Sequence, residues 1–151
     1  MLPGTKLVLP RPGDIVRCKF HFQEDPTQFK FRYCLVLAVT ESKTLVGSHA
    51  IMVAYGTSQH TDALRDDEVL LPETDRAVFS VSGLRKTTKF RLSKTEMIEV
   101  SKDNFLVSAC GLLSVGVLHP SKVADVAHAW NVSAKRADNR LTKVATNKRM
   151  R

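Results

Sequence analysis

The segment Phe29-Lys30-Phe31-Arg32 alternates aromatic and cationic side chains, and Tyr33 and Tyr55 add two further rings. Aromatic faces stack unpaired nucleic-acid bases, at about 1–3 kcal/mol per base, and neighbouring Lys or Arg meet the phosphates. Ordinary packing on a strand produces the same alternation, so the pattern is compatible with binding without requiring it. Other chemistry is sparse. The chain has no phosphate-binding glycine loop, no H-E-x-x-H and no G-x-S-x-G. Its five histidines are scattered. His49 falls in a strand-like run and His128 in a helical one, where structural or solvent roles are expected. His21 differs, because it stands at the lip of a polar loop. The three cysteines, Cys18, Cys34 and Cys110, share no metal-ligand spacing. They are expected as buried, reduced thiols, since free Cys packs as a small hydrophobe.

These residues need a scaffold, and 151 residues with 43% hydrophobic content can build one domain with its own core. The longest apolar runs, such as Tyr33 to Val39, are far short of a bilayer span, and residues 1–12 do not read as a signal peptide. A cytoplasmic protein is the expectation. The net charge is +8, and it is unevenly placed. From Ala134 onward the bases are Lys135, Arg136, Arg140, Lys143, Lys148, Arg149 and Arg151, against the single acid Asp138. A basic end of this kind suits phosphate backbones, and equally a solubilising tail.

Two Leu-Pro steps and Arg11-Pro12-Gly13 predict an irregular arm over 1–12. In Asp14 to Phe20, Val16, Cys18 and Phe20 share one side, and Arg17 and Lys19 the other. This is the period of a half-buried strand. Asp25-Pro26-Thr27 signals a turn. Further strands are predicted at Phe31–Val39, His49–Tyr55, Ala77–Val81 and Thr88–Leu92, with shorter pieces at Leu70–Pro72 and Met97–Val100. Pro120 and Ser121 mark a helix start, after which Val123, Val126, Ala127 and Trp130 recur at helical spacing. Short strands with turns between them and one late helix predict a mainly β, small barrel.

Three segments in order sharpen this picture: Pro12-Gly-Asp-Ile-Val-Arg-Cys-Lys-Phe20, Arg32-Tyr-Cys-Leu-Val-Leu37 and Val53-Ala-Tyr-Gly-Thr57-Ser58-Gln59. Together they resemble the PemK/MazF toxin family, whose members show a G-D-I-V strand, an R-P-x-L-V-L strand and a strand ending in T-S. Ser82 to Leu92 and Cys110 to Leu118 extend the resemblance, which covers roughly residues 10–132. It implies an SH3-like barrel with a C-terminal helix, divided as an arm (1–12), a barrel domain (13–133) and a basic tail (134–151).

The resemblance also implies an activity. Active members are homodimers that cut single-stranded RNA without a metal or other cofactor, using the RNA's own 2′-hydroxyl, and an antitoxin protein covers the cleft. The catalytic positions it points to are Arg32, Thr57 and Ser58. An RNA surface is expected from His21, Gln28, Lys30 and Tyr33 on one side. Tyr55, Lys89 and Arg91 extend it. A guanidinium holds two phosphoryl oxygens at once and keeps its charge at any working pH. This chain departs from the pattern at Tyr33, where the family has Pro, and at Ala54-Tyr55-Gly56. The stretch Thr87 to Leu92 carries Lys89 and Arg91 but no acid. Proton transfer would then fall to another group, such as His21 or Glu24. The alternatives are a PemK-like barrel that binds nucleic acid or a protein without cutting, and an interaction protein whose acid-rich stretch 62–75 meets a partner.

Overall fold

A computed structural model describes residues 6–21, 27–44 and 47–149, with side chains to Asp138. Glu24, Asp25 and Pro26 lie outside them. The strands are β1 (Asp14–His21), β2 (Phe29–Glu41), β3 (His49–Thr57), β4 (Glu68–Leu71), β5 (Thr88–Glu99) and β6 (Ser114–Val117). They form one sheet in the order β4-β5-β3-β2-β1-β6, with every pairing antiparallel. Among the described residues β4 and β6 do not pair with each other, so the expected barrel is an open, curled sheet. The curl is visible in two contacts between parts that a flat sheet would hold apart. Glu96 on β5 reaches His21 at the end of β1, and Phe105, just past β5, bridges Cys18 on β1.

Strand alternation sorts the core into two clusters. Val16, Cys18 and Phe20 pack with Cys34, Val36, Ile51, Val53, Ile98 and Phe105 inside the curl. Ile15, Leu35, Ala54, Phe90 and Leu92 pack on the other face, under two helices. Each large apolar side chain so buried contributes about 1.5–3 kcal/mol. Helix α2 (Val123–Arg149) follows a single 3₁₀ turn at Pro120–Lys122, capped by His119, whose Nδ1 accepts from Ser121 N at 3.1 Å. It runs through most of the stretch read as a basic tail. Its predicted apolar face is only partly covered. Ala129 is buried, whereas Val123 and Trp130 are exposed beside Leu37 and Met52.

Three predicted elements differ from the structure. Ala77–Val81, expected as a strand, lies in helix α1 (Arg76–Ser82). The caps decide this against the β-branched content. The Asp75 side chain accepts from Val78 N at 3.3 Å, and Gly83 ends the turn at φ 72°. The two pieces expected at Thr88–Leu92 and Met97–Val100 are one long strand, β5. Its pairing with β3 jumps from Tyr55–Arg91 to Ala54–Thr95, so Leu92, Ser93 and Lys94 form a bulge.

The end of α1 sits directly on β6. A Cβ at Gly116 would run into the carbonyl of Ser82, and one at Gly83 into that of Val115. Gly116→Ala is therefore expected to cost about 1–3 kcal/mol, and the thermal midpoint to fall by at least about 3 °C. An unchanged midpoint would show that α1 is not seated on β6.

The thiols divide as well. Cys18 and Cys34 are buried in the inner cluster, and the hydrogen bond between them, reinforced by burial, pushes the Cys18 thiol far up. Cys110, expected to be buried, is exposed on the turn Ser108–Gly111, where the Ser108 hydroxyl lowers its pKa. A thiol reagent is thus expected to label one cysteine of the native protein rapidly. The pH midpoint of that rate should lie below that of a free thiol, because a lowered pKa yields thiolate at lower pH. Labelling of all three at similar rates would contradict the burial.

Candidate active site and nucleic-acid cleft

β2 and β3 pair with Cys34 opposite Tyr55, which carries Arg32 and Thr57 to the same end of the two strands. Gly56 permits the close approach there, since a Cβ would collide with the Tyr33 carbonyl and the Phe90 ring. Arg32, Thr57 and Ser58 line one cleft of about 230 Å³ with Tyr33, Phe31, Arg17, Arg85 and Lys86. Among the described residues, four cations and no carboxylate line it. Arg17, Arg85 and Lys86 have no carboxylate partner among the described residues. Their charge is left to act on whatever enters.

The local geometry aims these groups. Arg17 lies over Tyr33 at 5.3 Å from the ring centre, and Arg32 over Tyr55 at 5.4 Å. Rings hold guanidinium planes in place without neutralising them. Thr57 Oγ1 accepts from Gln59 N at 3.1 Å, so its own O–H remains to donate. Ser58 beside it is exposed.

A second hollow, of about 450 Å³, shares Thr57 with the first and includes Tyr55, Lys89, Arg91 and Lys94. Its floor is Glu68, whose side chain is 2% exposed. Glu68 accepts from Lys89 Nζ at 3.1 Å and Arg65 N at 2.9 Å, and Arg91 Nε lies 3.2 Å away. Lys89 also donates to the Ala63 carbonyl. The β5 bulge sets Lys94 Nζ 4.2 Å from the centre of the Tyr55 ring.

The structure thus brings Arg32, Thr57, Ser58 and Tyr33 together, with Tyr55 on the far side of Thr57. Lys89 and Arg91 border the second hollow but are engaged by Glu68. His21, Gln28 and Lys30 are exposed and line neither hollow. His21 is held by Glu96, which meets its Nδ1 and accepts from its backbone N at 3.1 Å. Among the described residues no His, Asp or Glu lines the first cleft. Among the described residues no three His, Cys, Asp or Glu side chains converge as a metal site. Arg17, Arg85, Lys86 and Lys94 were not anticipated as site residues. Arg17 had a signal, namely its place on the polar half of the β1 alternation; the others arrive through α1 and the bulge.

The architecture and cleft define a class: a curled antiparallel β-sheet backed by a C-terminal helix, with a cationic hollow at the ends of its central strands. No protein-family model and no curated protein matches the chain. Among solved structures it is similar to an endoribonuclease in complex with its cognate antitoxin, from a mycobacterial species. That match has a TM-score of 0.55 at 11% identity and covers 84% of this chain and 96% of the other. A second mycobacterial endoribonuclease matches with a TM-score of 0.53 at 13% identity, over 85% of this chain and 94% of that one. At these identities the likeness establishes a shared fold, the one that the PemK/MazF resemblance implied. No helix among the described residues is long and apolar enough to cross a membrane.

Proposed function

We propose that the protein is a metal-independent endoribonuclease that cuts single-stranded RNA through the RNA's own 2′-hydroxyl. The observation that carries this reading is the meeting of Arg32, Thr57 and Ser58 in one cleft that, among the described residues, is lined by four cations and no carboxylate. In the reaction the 2′-oxygen attacks the neighbouring phosphorus and the bond to the 5′-oxygen breaks. The 2′-hydroxyl proton leaves to a base and a proton returns to the 5′-oxygen. The products are a 2′,3′-cyclic phosphate and a 5′-hydroxyl. The pentacoordinate intermediate carries extra negative charge on its oxygens. Arg32 would clamp two of them, the Thr57 hydroxyl would donate to one, and Arg17 would add field. Shared fold with endoribonucleases supports the reading, and one such neighbour, bound to its cognate antitoxin, supports an antitoxin as partner here. A homodimer belongs to the same reading.

A second reading, binding without cutting, is favoured by one observation: among the described residues no histidine or carboxylate lines the cleft to move a proton. General acid–base help is worth about 10²–10⁴ in rate. The test is to incubate the purified protein with a long single-stranded RNA in EDTA. Discrete cuts ending in 2′,3′-cyclic phosphate are expected. Intact RNA with salt-sensitive binding would replace the nuclease with the binder.

A further inference from the structure

β1 and β2 pair in a register that sets Arg17 opposite Tyr33, Lys19 opposite Phe31 and His21 opposite Phe29. Alternation puts all six on the same face of the two strands, while Cys18 and Cys34 between them enter the core. The row is continuous. Arg17 covers Tyr33, Lys19 Nζ lies 4.4 Å from the centre of the Phe29 ring, and Phe29 meets Phe31 edge to face at 6.4 Å. His21 stands 6.2 Å from Phe29. Phe29 is 44% exposed, an unusual place for a phenyl ring that an apolar core could take. One end of the row lies in the cleft, because Arg17, Phe31 and Tyr33 line it. From there the row runs outward over about 13 Å of strand.

We infer that this row is a track for single-stranded RNA leaving the cleft, with bases stacked on Phe31 and Phe29 and phosphates met by Arg17 and Lys19. The inference rests on the RNA reading of the cleft. Ring and cation alternate along the row as base and phosphate alternate along a strand of RNA. Cations over two of the three rings, Arg17 on Tyr33 and Lys19 on Phe29, serve a polyanion, and an apolar protein segment has no use for them. Only unpaired bases can splay onto such rings, and sheet-borne aromatics of this kind hold about two or three of them. Among the described residues, the carboxylate that meets the row is Glu96, bound to His21 at its far end.

Binding of 2′-O-methyl oligonucleotides, whose capped hydroxyl cannot attack, tests the track. Oligonucleotides of about four and about eight nucleotides, the longer ones extended to either side, are compared by fluorescence anisotropy. The expected result is at least tenfold tighter binding of one longer oligonucleotide by the native protein. Phe29→Leu should lose most of that gain and bind the short one normally, because leucine keeps the apolar bulk and lacks the π face. Lys19→Ala should reduce the salt slope for the longer one by about one. A full gain in Phe29→Leu, or no gain with length in the native protein, overturns the track and leaves the cleft standing. Phe29→Leu that binds RNA normally but no longer binds a protein partner overturns it in favour of a docking surface. Native protein that binds no oligonucleotide and cuts no RNA defeats the reading of the cleft itself.

Discussion

Arg32→Ala is expected to slow RNA cleavage in EDTA by about 10²–10³-fold, measured under single-turnover conditions, with a much smaller loss in affinity for a 2′-O-methyl oligonucleotide. The asymmetry follows from where the charge appears. Ground-state RNA carries one charge per phosphate, which Arg17, Arg85 and Lys86 in the same cleft also attract. Only the pentacoordinate intermediate presents the second oxygen charge that a two-pronged guanidinium can hold. Arg32→Lys should rescue little, because an ammonium is a point charge without the planar fork, and it would lose the stacked seat over Tyr55. Equal losses in binding and cleavage would make Arg32 an anchor for the substrate. Unchanged cleavage would remove it from the site.

Glu68→Ala is expected to destabilise the fold by about 3–5 kcal/mol, which lowers the thermal midpoint by about 10 °C or more. Glu68 is nearly inaccessible and faces two cations, of which Lys89 is 8% exposed at its side chain. Removing the carboxylate strands that ammonium in a poorly hydrated place, with only the Ala63 carbonyl left to it. Replacing both partners, as Glu68→Leu with Lys89→Met, should recover most of the loss, since a packed apolar pair carries no desolvation penalty. The same logic separates Lys89 from the RNA surface on which the family resemblance would set it. Lys89→Met alone should lower stability far more than it lowers RNA affinity. Stability unchanged in both single variants would mean that the pair contributes nothing net.

Much of the sheet was legible because it obeys one local rule. Val16, Cys18 and Phe20 alternate with Arg17 and Lys19, and the structure keeps that parity, burying the first set and leaving the second on the opposite face. Arg32 and Thr57 meet because β2 and β3 pair antiparallel; the apolar content of the two runs foretold that both are strands, and the pairing came with the structure. What was missed depends on contacts far apart in sequence. The switch of Ala77–Val81 to a helix rests on its two caps and on the seat against β6. Lys89 reads as a surface base until Glu68, on a neighbouring strand, is brought beneath it. The bulge that lifts Lys94 onto Tyr55 leaves no trace in a polar Ser93-Lys94-Thr95 run, which looks like a break between strands. Sidedness of a strand is written locally; the partner of a charge is not.

The parity of β1 has a consequence for how the protein can change over generations. Past the buried Ile15, Arg17 and Lys19 face the proposed ligand, and the even positions Val16 and Cys18 face the interior. Substitutions at the first set can retune affinity or preference with little toll on folding, and substitutions at the second can repack the interior with little effect on recognition. A single inserted or deleted residue inside β1 couples the two at once, because it exchanges the faces of everything beyond it. Drift in this strand is therefore confined to replacement at fixed length, and variation in length is pushed out to the connections that follow β1 and β2.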